Sequence, residues 1–439
     1  MNTRHIKQTI GLSIPMIVGQ IGQLTMNVAD NVMVGRVGAD ALAAAAIGNG
    51  LFTLSMVSGI GISMAITPLT AIAMGAGRNE DCGIVLRQGL IVNMAAGLLL
   101  CLATIAGAQG IRFLNQPEAI VEPAIRYMEV LGLSMIPLML FQSYRQFAEG
   151  LSYLRPAMII TLAANLVNIF VNWVFIFGNM GAPALGVTGA GLATFSSRIF
   201  MAACMMFIIM KAPSLKRFDP SLRYKKIDIA LMKRLLAIGI PGACQYFFEV
   251  SAFVGASVIV GWMGVRELAA HQIALSLASI SFMCAMGISG AGTIRVGNAL
   301  GRGVKPDVRA AGFTAVILCM IFMALAGLLF VLFRNILPTL YVSEPEVIQI
   351  TAGLLVIVAF FQLSDGAQAV GIGILRGITD MKVPTLLTLA AYWIIGLPVA
   401  YALAFWADMG IYGVWIGLLL SLTVSALLMA LRFHVKTRI

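Results

Sequence analysis

The chain has 439 residues, 60% hydrophobic and only 11% charged, with a mean hydropathy of +0.96; soluble domains carry about 25% charged residues, so this is a polytopic membrane protein. The net charge of +11 raises nucleic acid as a partner, but a nucleic-acid binder gathers its basic residues on one solvated face or tail, and here they scatter through short loops. No GxxxxGK[ST] loop, no HExxH pair and no soluble catalytic domain occurs, which argues against a nucleotide partner and leaves ion gradients as the energy source.

Met1 to Thr9 are polar and basic, and no small-residue cleavage site follows the first apolar run, so that run is expected to remain as an anchor. Apolar stretches of roughly 20 residues, the length a helix needs to cross the hydrocarbon core, recur near 9–34, 44–74, 88–108, 122–144, 156–178 and 187–210. Six more follow near 236–260, 268–293, 310–333, 347–372, 383–406 and 411–431. The expectation is an all-α protein of twelve transmembrane helices with both termini on one side. Its parts are an N-terminal six-helix lobe (1–210), a basic cytoplasmic linker (211–235) and a C-terminal six-helix lobe (236–439). Cys82, Cys101, Cys204, Cys244, Cys284 and Cys319 show no metal-ligand spacing and read as small core residues.

Loop charge orients the bundle. With cytoplasmic termini, 23 Lys and Arg fall inside and five outside (Arg36, Arg112, Arg126, Arg266, Arg334), with Arg198 within a span; the positive-inside rule therefore puts both termini in the cytoplasm. The halves also repeat. Residues 15–77 align with 241–303 without a gap at 20 identities in 63 positions, among them Pro15 with Pro241 and Gly61-Ile62-Ser63 with Gly287-Ile288-Ser289. Gly186-x-x-Gly189 likewise resembles Gly410-x-x-Gly413. Even span numbers give both halves the same orientation, so the two six-helix bundles should be related by a pseudo-two-fold axis along the membrane normal, a transporter design that binds substrate between or within the halves.

Three carboxylates, Asp30, Glu249 and Asp365, stand within these apolar stretches. Ionised groups at membrane depth cost at least a few kcal/mol and usually face a bundle interior or wet cavity. For Asp30 a solvated helix end is the bland alternative; Glu249, about two turns past Pro241, has no loop to rescue it. In the repeat Glu249 meets Gln23 and Asp30 meets Ala256, so neither acid has an acidic mate. Asn165, Asn168 and Asn172 form an i, i+3, i+7 stripe on one face of the fifth span, which serves either a polar site or helix-helix hydrogen bonding. Buried carboxylates can carry a proton across, or join amide and hydroxyl oxygens around a small cation. An organic cation could compete for the same charge. Arg198 reads as an anion or carboxylate partner, or equally as a cation bonded to backbone carbonyls. His271 reads as structural.

Pro15 through Gly48, with Asp30-Asn31-Val32-Met33-Val34-Gly35 and Leu42-Ala43-Ala44, resembles the first helices of multidrug and toxic compound extrusion (MATE) transporters. Its counterpart Pro241 through Gly301, with Glu249, Leu268-Ala269-Ala270-His271-Gln272-Ile273 and Arg295-Val296-Gly297-Asn298, fits the same pattern, as do Glu149-Gly150, Arg155-Pro156 and Asp365. Glu249 and Asp365 match the marks of the NorM branch. The resemblance implies an antiporter of the bacterial cytoplasmic (inner) membrane that expels amphipathic, often cationic drugs in exchange for inward Na+ or H+. It implies a cation site at Glu249 and Asp365, an N-lobe site at Asp30, Asn168 and Asn172, and substrate contacts at Gln272 and Phe361. No cofactor is expected beyond the coupling ion, which at Glu249 and Asp365 could be Na+. Expected partners are small organic cations and the lipid bilayer, and the expected oligomeric state is a monomer. A lipid-linked precursor flippase of the same superfamily is the nearest alternative, with an intramembrane enzyme the alternative from another class.

Overall fold

A computed structural model describes residues 3–113, 117–221 and 227–438. Twelve helices among them are long and apolar enough to span a bilayer: α1 (Thr3–Gly35), α2 (Ala39–Gly75), α3 (Asn79–Phe113), α4 (Glu118–Gly150), α5 (Arg155–Phe177), α6 (Val187–Lys211), α7 (Ile229–Gly261), α8 (Val265–Gly301), α9 (Lys305–Leu332), α10 (Pro345–Gly377), α11 (Lys382–Trp406) and α12 (Gly410–Lys436). Each predicted span lies on one of them, and several helices run a turn or more past the apolar stretch. No strand occurs among the described residues.

Prolines shape these helices. α2 is broken between Ser63 and Ile66, and α4 between Leu133 and Met135. In each case a proline, Pro68 or Pro137, is the third residue of the restarted helix, and its missing N–H leaves the carbonyl four residues back without its helical donor. In α8, Ile294 stands where the repeat has Pro68, and the helix runs unbroken. α11 relaxes into π-helical turns at Ala390–Gly396 and Ala402–Trp406, with Pro398 unable to donate to Ile394.

The chain forms two compact units, Val18–Ala243 and Met1–Ile17 together with Cys244–Ile439. The expected division lay at the 211–235 linker. The observed boundaries instead cut α1 and α7, each two residues past an intrahelical proline, Pro15 or Pro241. Those are the positions where a missing ladder bond lets a helix bend, and they coincide in the repeat.

In the unit Val18–Ala243, Phe52, Tyr127, Met135 and Ile176 belong to one apolar core. The first part of the linker is docked on α3: buried Arg87 donates to the Asp219 carbonyl (2.9 Å), its carboxylate (3.0 Å) and the Ser221 carbonyl (3.2 Å). Gly83 makes that approach feasible, because a Cβ there would collide with the Asp219 carbonyl. Arg223, Lys225 and Lys226 of the linker lie outside the described residues.

In the other unit Phe361, Tyr392 and Trp415 sit in one core, and α8 crosses α10 closely. Ser289 and Thr293 donate to the Ala369 and Gly373 carbonyls, both at 2.7 Å, the small-residue and hydroxyl packing that joins helices where hydrophobic attraction is weak. Buried Arg295 ties down the start of α1 through the His5 carbonyl (2.9 Å), the His5 ring and the Thr9 hydroxyl (2.5 Å).

Candidate functional site

In the unit Val18–Ala243 the asparagine stripe of α5 runs alongside α1. Asn165 donates to the Gly22 carbonyl at 3.0 Å, a plain helix-helix bond. Two turns on, Asn172 donates from one amide to Asp30 Oδ1 (2.6 Å) and to Asn168 Oδ1 (3.1 Å). Thr194 of α6 donates to Asp30 Oδ2 at 3.2 Å. Three helices therefore converge on one half-buried carboxylate, and the cap reading of Asp30 gives way to a cross-helix cluster. The stripe serves both purposes, gluing helices at Asn165 and holding Asp30 at Asn172. The buried Asn172 amide still has hydrogen-bonding capacity, since its Oδ1 has no partner among the described residues.

Arg198, on α6, lies within electrostatic reach of Asp30 but does not pair with it. Its guanidinium donates to the Ser134 hydroxyl (2.5 Å), touches the Met56 sulfur (3.6 Å) and stacks 5.0 Å over the Phe52 ring. Neither of the partners expected for it, a carboxylate or backbone carbonyls, is among these. Ser134, at the break in α4, donates its own hydroxyl hydrogen to the Leu131 carbonyl at 2.6 Å and so accepts from Arg198 with a free lone pair.

In the other unit Glu249 and Asp365 approach from α7 and α10, 8% and 4% exposed, near enough for each charge to act on the other. Gln245, one turn before Glu249, donates to its carboxylate at 3.2 Å. Arg376 and Tyr392 lie within electrostatic reach. The Arg376 guanidinium lies 5.9 Å from the Tyr246 ring centroid, and the Tyr392 hydroxyl donates to Gln368 at 2.8 Å. Two acids and one buried cation thus cluster with the side chains of Gln245 and Tyr392, the latter bonded to Gln368. Among the described residues no group of three His, Cys, Asp or Glu side chains is suited to a metal ion, so any cation held here would need amide or hydroxyl oxygens as well.

The expected substrate contacts separate. Phe361 is 2% exposed and packs edge-on to Trp415 (5.3 Å) and Phe253 (6.2 Å) in the core, whereas Gln272 is exposed on α8. His271 is fully buried, paired with the Ser257 hydroxyl at 3.0 Å and edge-on to Trp415. Arg376, Tyr392 and Thr194 escaped sequence reasoning. Arg376 was counted with loop cations because it lies in the last turn of α10, and a threonine carries no signal in an apolar helix.

A family model, MatE, matches residues 15–174 and 241–402, spanning most of the chain in its two repeats. The chain belongs to the MatE family. Multidrug resistance protein MdtK of Yersinia pestis (strain Pestoides F) is 33% identical over 433 residues, covering 98% of this chain and 95% of the relative. MdtK of Yersinia enterocolitica serotype O:8 / biotype 1B is 34% identical over the same length. Among solved structures, an outward-facing multidrug resistance MATE family transporter of the MOP superfamily superposes at a TM-score of 0.91 with 20% identity, covering 99% of this chain and 96% of that one. The eukaryotic MATE transporter AtDTX14 gives 0.88 with 22% identity, covering 99% and 98%. MatE membership is membership of a transporter family, which removes the intramembrane-enzyme alternative.

Proposed function

We propose that this MatE protein is a secondary antiporter of the bacterial inner membrane, with cytoplasmic termini, that expels amphipathic and mostly cationic drugs in exchange for inward Na+ or H+. The observation that carries the reading is the pairing of Glu249 with Asp365 inside one helical unit. Two buried acids with, among the described residues, one cation in electrostatic reach hold more negative charge than their surroundings neutralise, so a proton or small cation bound there lowers the electrostatic cost. An ion whose affinity differs between two conformations drives the conformational cycle by that difference. The names of the MdtK relatives support drug efflux, and Glu249 with Asp365 supports a NorM-like branch. Oxygen donors at Gln245, Gln368 and Tyr392 suit Na+ as well as a proton relay. The test is efflux of a cationic dye from vesicles carrying the full-length protein, driven either by a Na+ gradient or by a pH gradient alone. One of the two gradients should drive export in wild type and fail to do so in Glu249→Gln with Asp365→Asn. Equal export by that double variant would end the proposal.

A further inference from the structure

A cavity of about 340 Å³ opens at the end of the unit Val18–Ala243 where α2 stops, α3 starts and α7 starts, remote in sequence from the carboxylate clusters. Its floor is aliphatic, with Leu69 and Ile72 of α2 and Val85 of α3, and its rim carries Arg78, Asp81, Asp228 and Arg234. These helix ends belong to transmembrane spans, so the cavity lies at the level where acyl chains meet headgroups. Ile227 and Ile229 beside Asp228 are 60% and 63% exposed, a costly arrangement in water and a natural one against lipid.

The rim charges decide the ligand. Arg78 and Asp81 satisfy each other at 3.2 Å. One Asp228 oxygen accepts from the Leu231 N–H at 2.9 Å, capping α7, and the other carboxylate oxygen is left to bind. Arg234 has no ion-pair partner among the described residues. A wholly anionic headgroup would meet two acids here, while a trimethylated one could not donate hydrogen bonds to Asp228. A headgroup carrying both a phosphate and a primary ammonium complements the two remaining charges at once. We propose that this cavity holds the headgroup of phosphatidylethanolamine, phosphate on Arg234 and ammonium on Asp228, with an acyl chain along Leu69, Ile72 and Val85. Such a lipid would tether the start of α7 to the turn between α2 and α3.

The test offers delipidated full-length protein an equimolar mixture of phosphatidylethanolamine, phosphatidylcholine and phosphatidylglycerol and reads the retained lipid by native mass spectrometry. Wild type should retain phosphatidylethanolamine over the other two by about tenfold or more, the scale of one charge-assisted hydrogen bond. Arg234→Gln and Asp228→Asn should each abolish the preference; Asn caps a helix as well as Asp does, so the second variant keeps α7 intact, and Asp228→Glu should restore binding. Equal retention of all three lipids, preference for phosphatidylglycerol, or an unchanged preference in both variants would overturn the assignment. Displacement by excess inorganic phosphate as effective as displacement by added phosphatidylethanolamine would reduce the cavity to a phosphate site and overturn it equally.

Discussion

The two units share a skeleton and differ in where they place charge. Gly38 and Gly264 adopt the same backbone angle, φ 152°, and Gly186 and Gly410 have φ of 53° and 56°. A Cβ at Gly189 would stand 2.5 Å from the Phe175 carbonyl, and one at Gly413 would stand 2.8 Å from that of Leu403. Thr67 donates to the Gln146 carbonyl in one unit as Thr293 does to Gly373 in the other. Carrying these equivalences along the helices puts Ala256, Ala400 and Leu418 where the first unit has Asp30, Asn172 and Thr194, and all three lie in an apolar core, with the buried Gly396 in the place of Asn168. Duplication kept the contacts that set helix spacing, where one added atom collides, and released the faces between them. The first unit uses its face for a hydrogen-bonded carboxylate; the second fills it with small and aliphatic residues and carries its acids elsewhere on α7 and on α10.

Several measurements can break or sharpen that contrast. The largest effect is expected at Glu249 and Asp365. Glu249→Gln or Asp365→Asn alone should cut gradient-driven dye efflux at least tenfold, about 1.4 kcal/mol, and the double variant should do little further harm because the pair acts as one unit; fully additive losses would mean two independent sites. Next comes the shared skeleton. Gly377→Val and Gly150→Val should each destabilise the protein by about 1–3 kcal/mol, read as a lower melting temperature in detergent, since a Cβ at either position collides with its neighbouring helix. A large loss in one unit only would mean that the helix crossings are not equivalent.

Asp30→Asn should keep the protein folded, because its amide oxygen still accepts from Asn172 and its amide nitrogen can donate to the Thr194 hydroxyl, while flattening the pH dependence of efflux; an unchanged profile would reduce the cluster to helix glue. The smallest effect is expected for Thr194→Val, which removes one 3.2 Å bond to Asp30 and should change transport by about twofold to fivefold, in line with a loss of about 0.5–1 kcal/mol. An effect as large as that of Asp30→Asn would make the hydroxyl a ligand in its own right.

Much of this was legible in the sequence, for identifiable reasons. Twelve spans follow from apolar length alone, and the repeat was visible because Gly61, Thr67 and Pro15 occupy positions where packing or bending restricts the choice. The contact of Asp30 with α5 was approachable through the three-asparagine stripe. The unit boundaries were not: composition changes at the linker, whereas cohesion changes at Pro15 and Pro241, where nothing polar marks the place. Arg376 was obscured because hydropathy treats a buried cation one turn from a helix end as a loop residue. Phe361 suggested a pocket wall, but its partners Phe253 and Trp415 lie on other helices, and an aromatic residue in a sequence does not show which neighbours will surround it.

The bond between Arg295 and His5 spans 290 residues. During synthesis at about 5–20 residues per second, the first turns of the chain emerge roughly 15–60 s before that arginine exists. His5 and Thr9 are therefore made long before the partner that anchors them in the folded protein. A chain severed at the linker would leave these residues on the fragment that lacks Arg295 and the rest of their own compact unit.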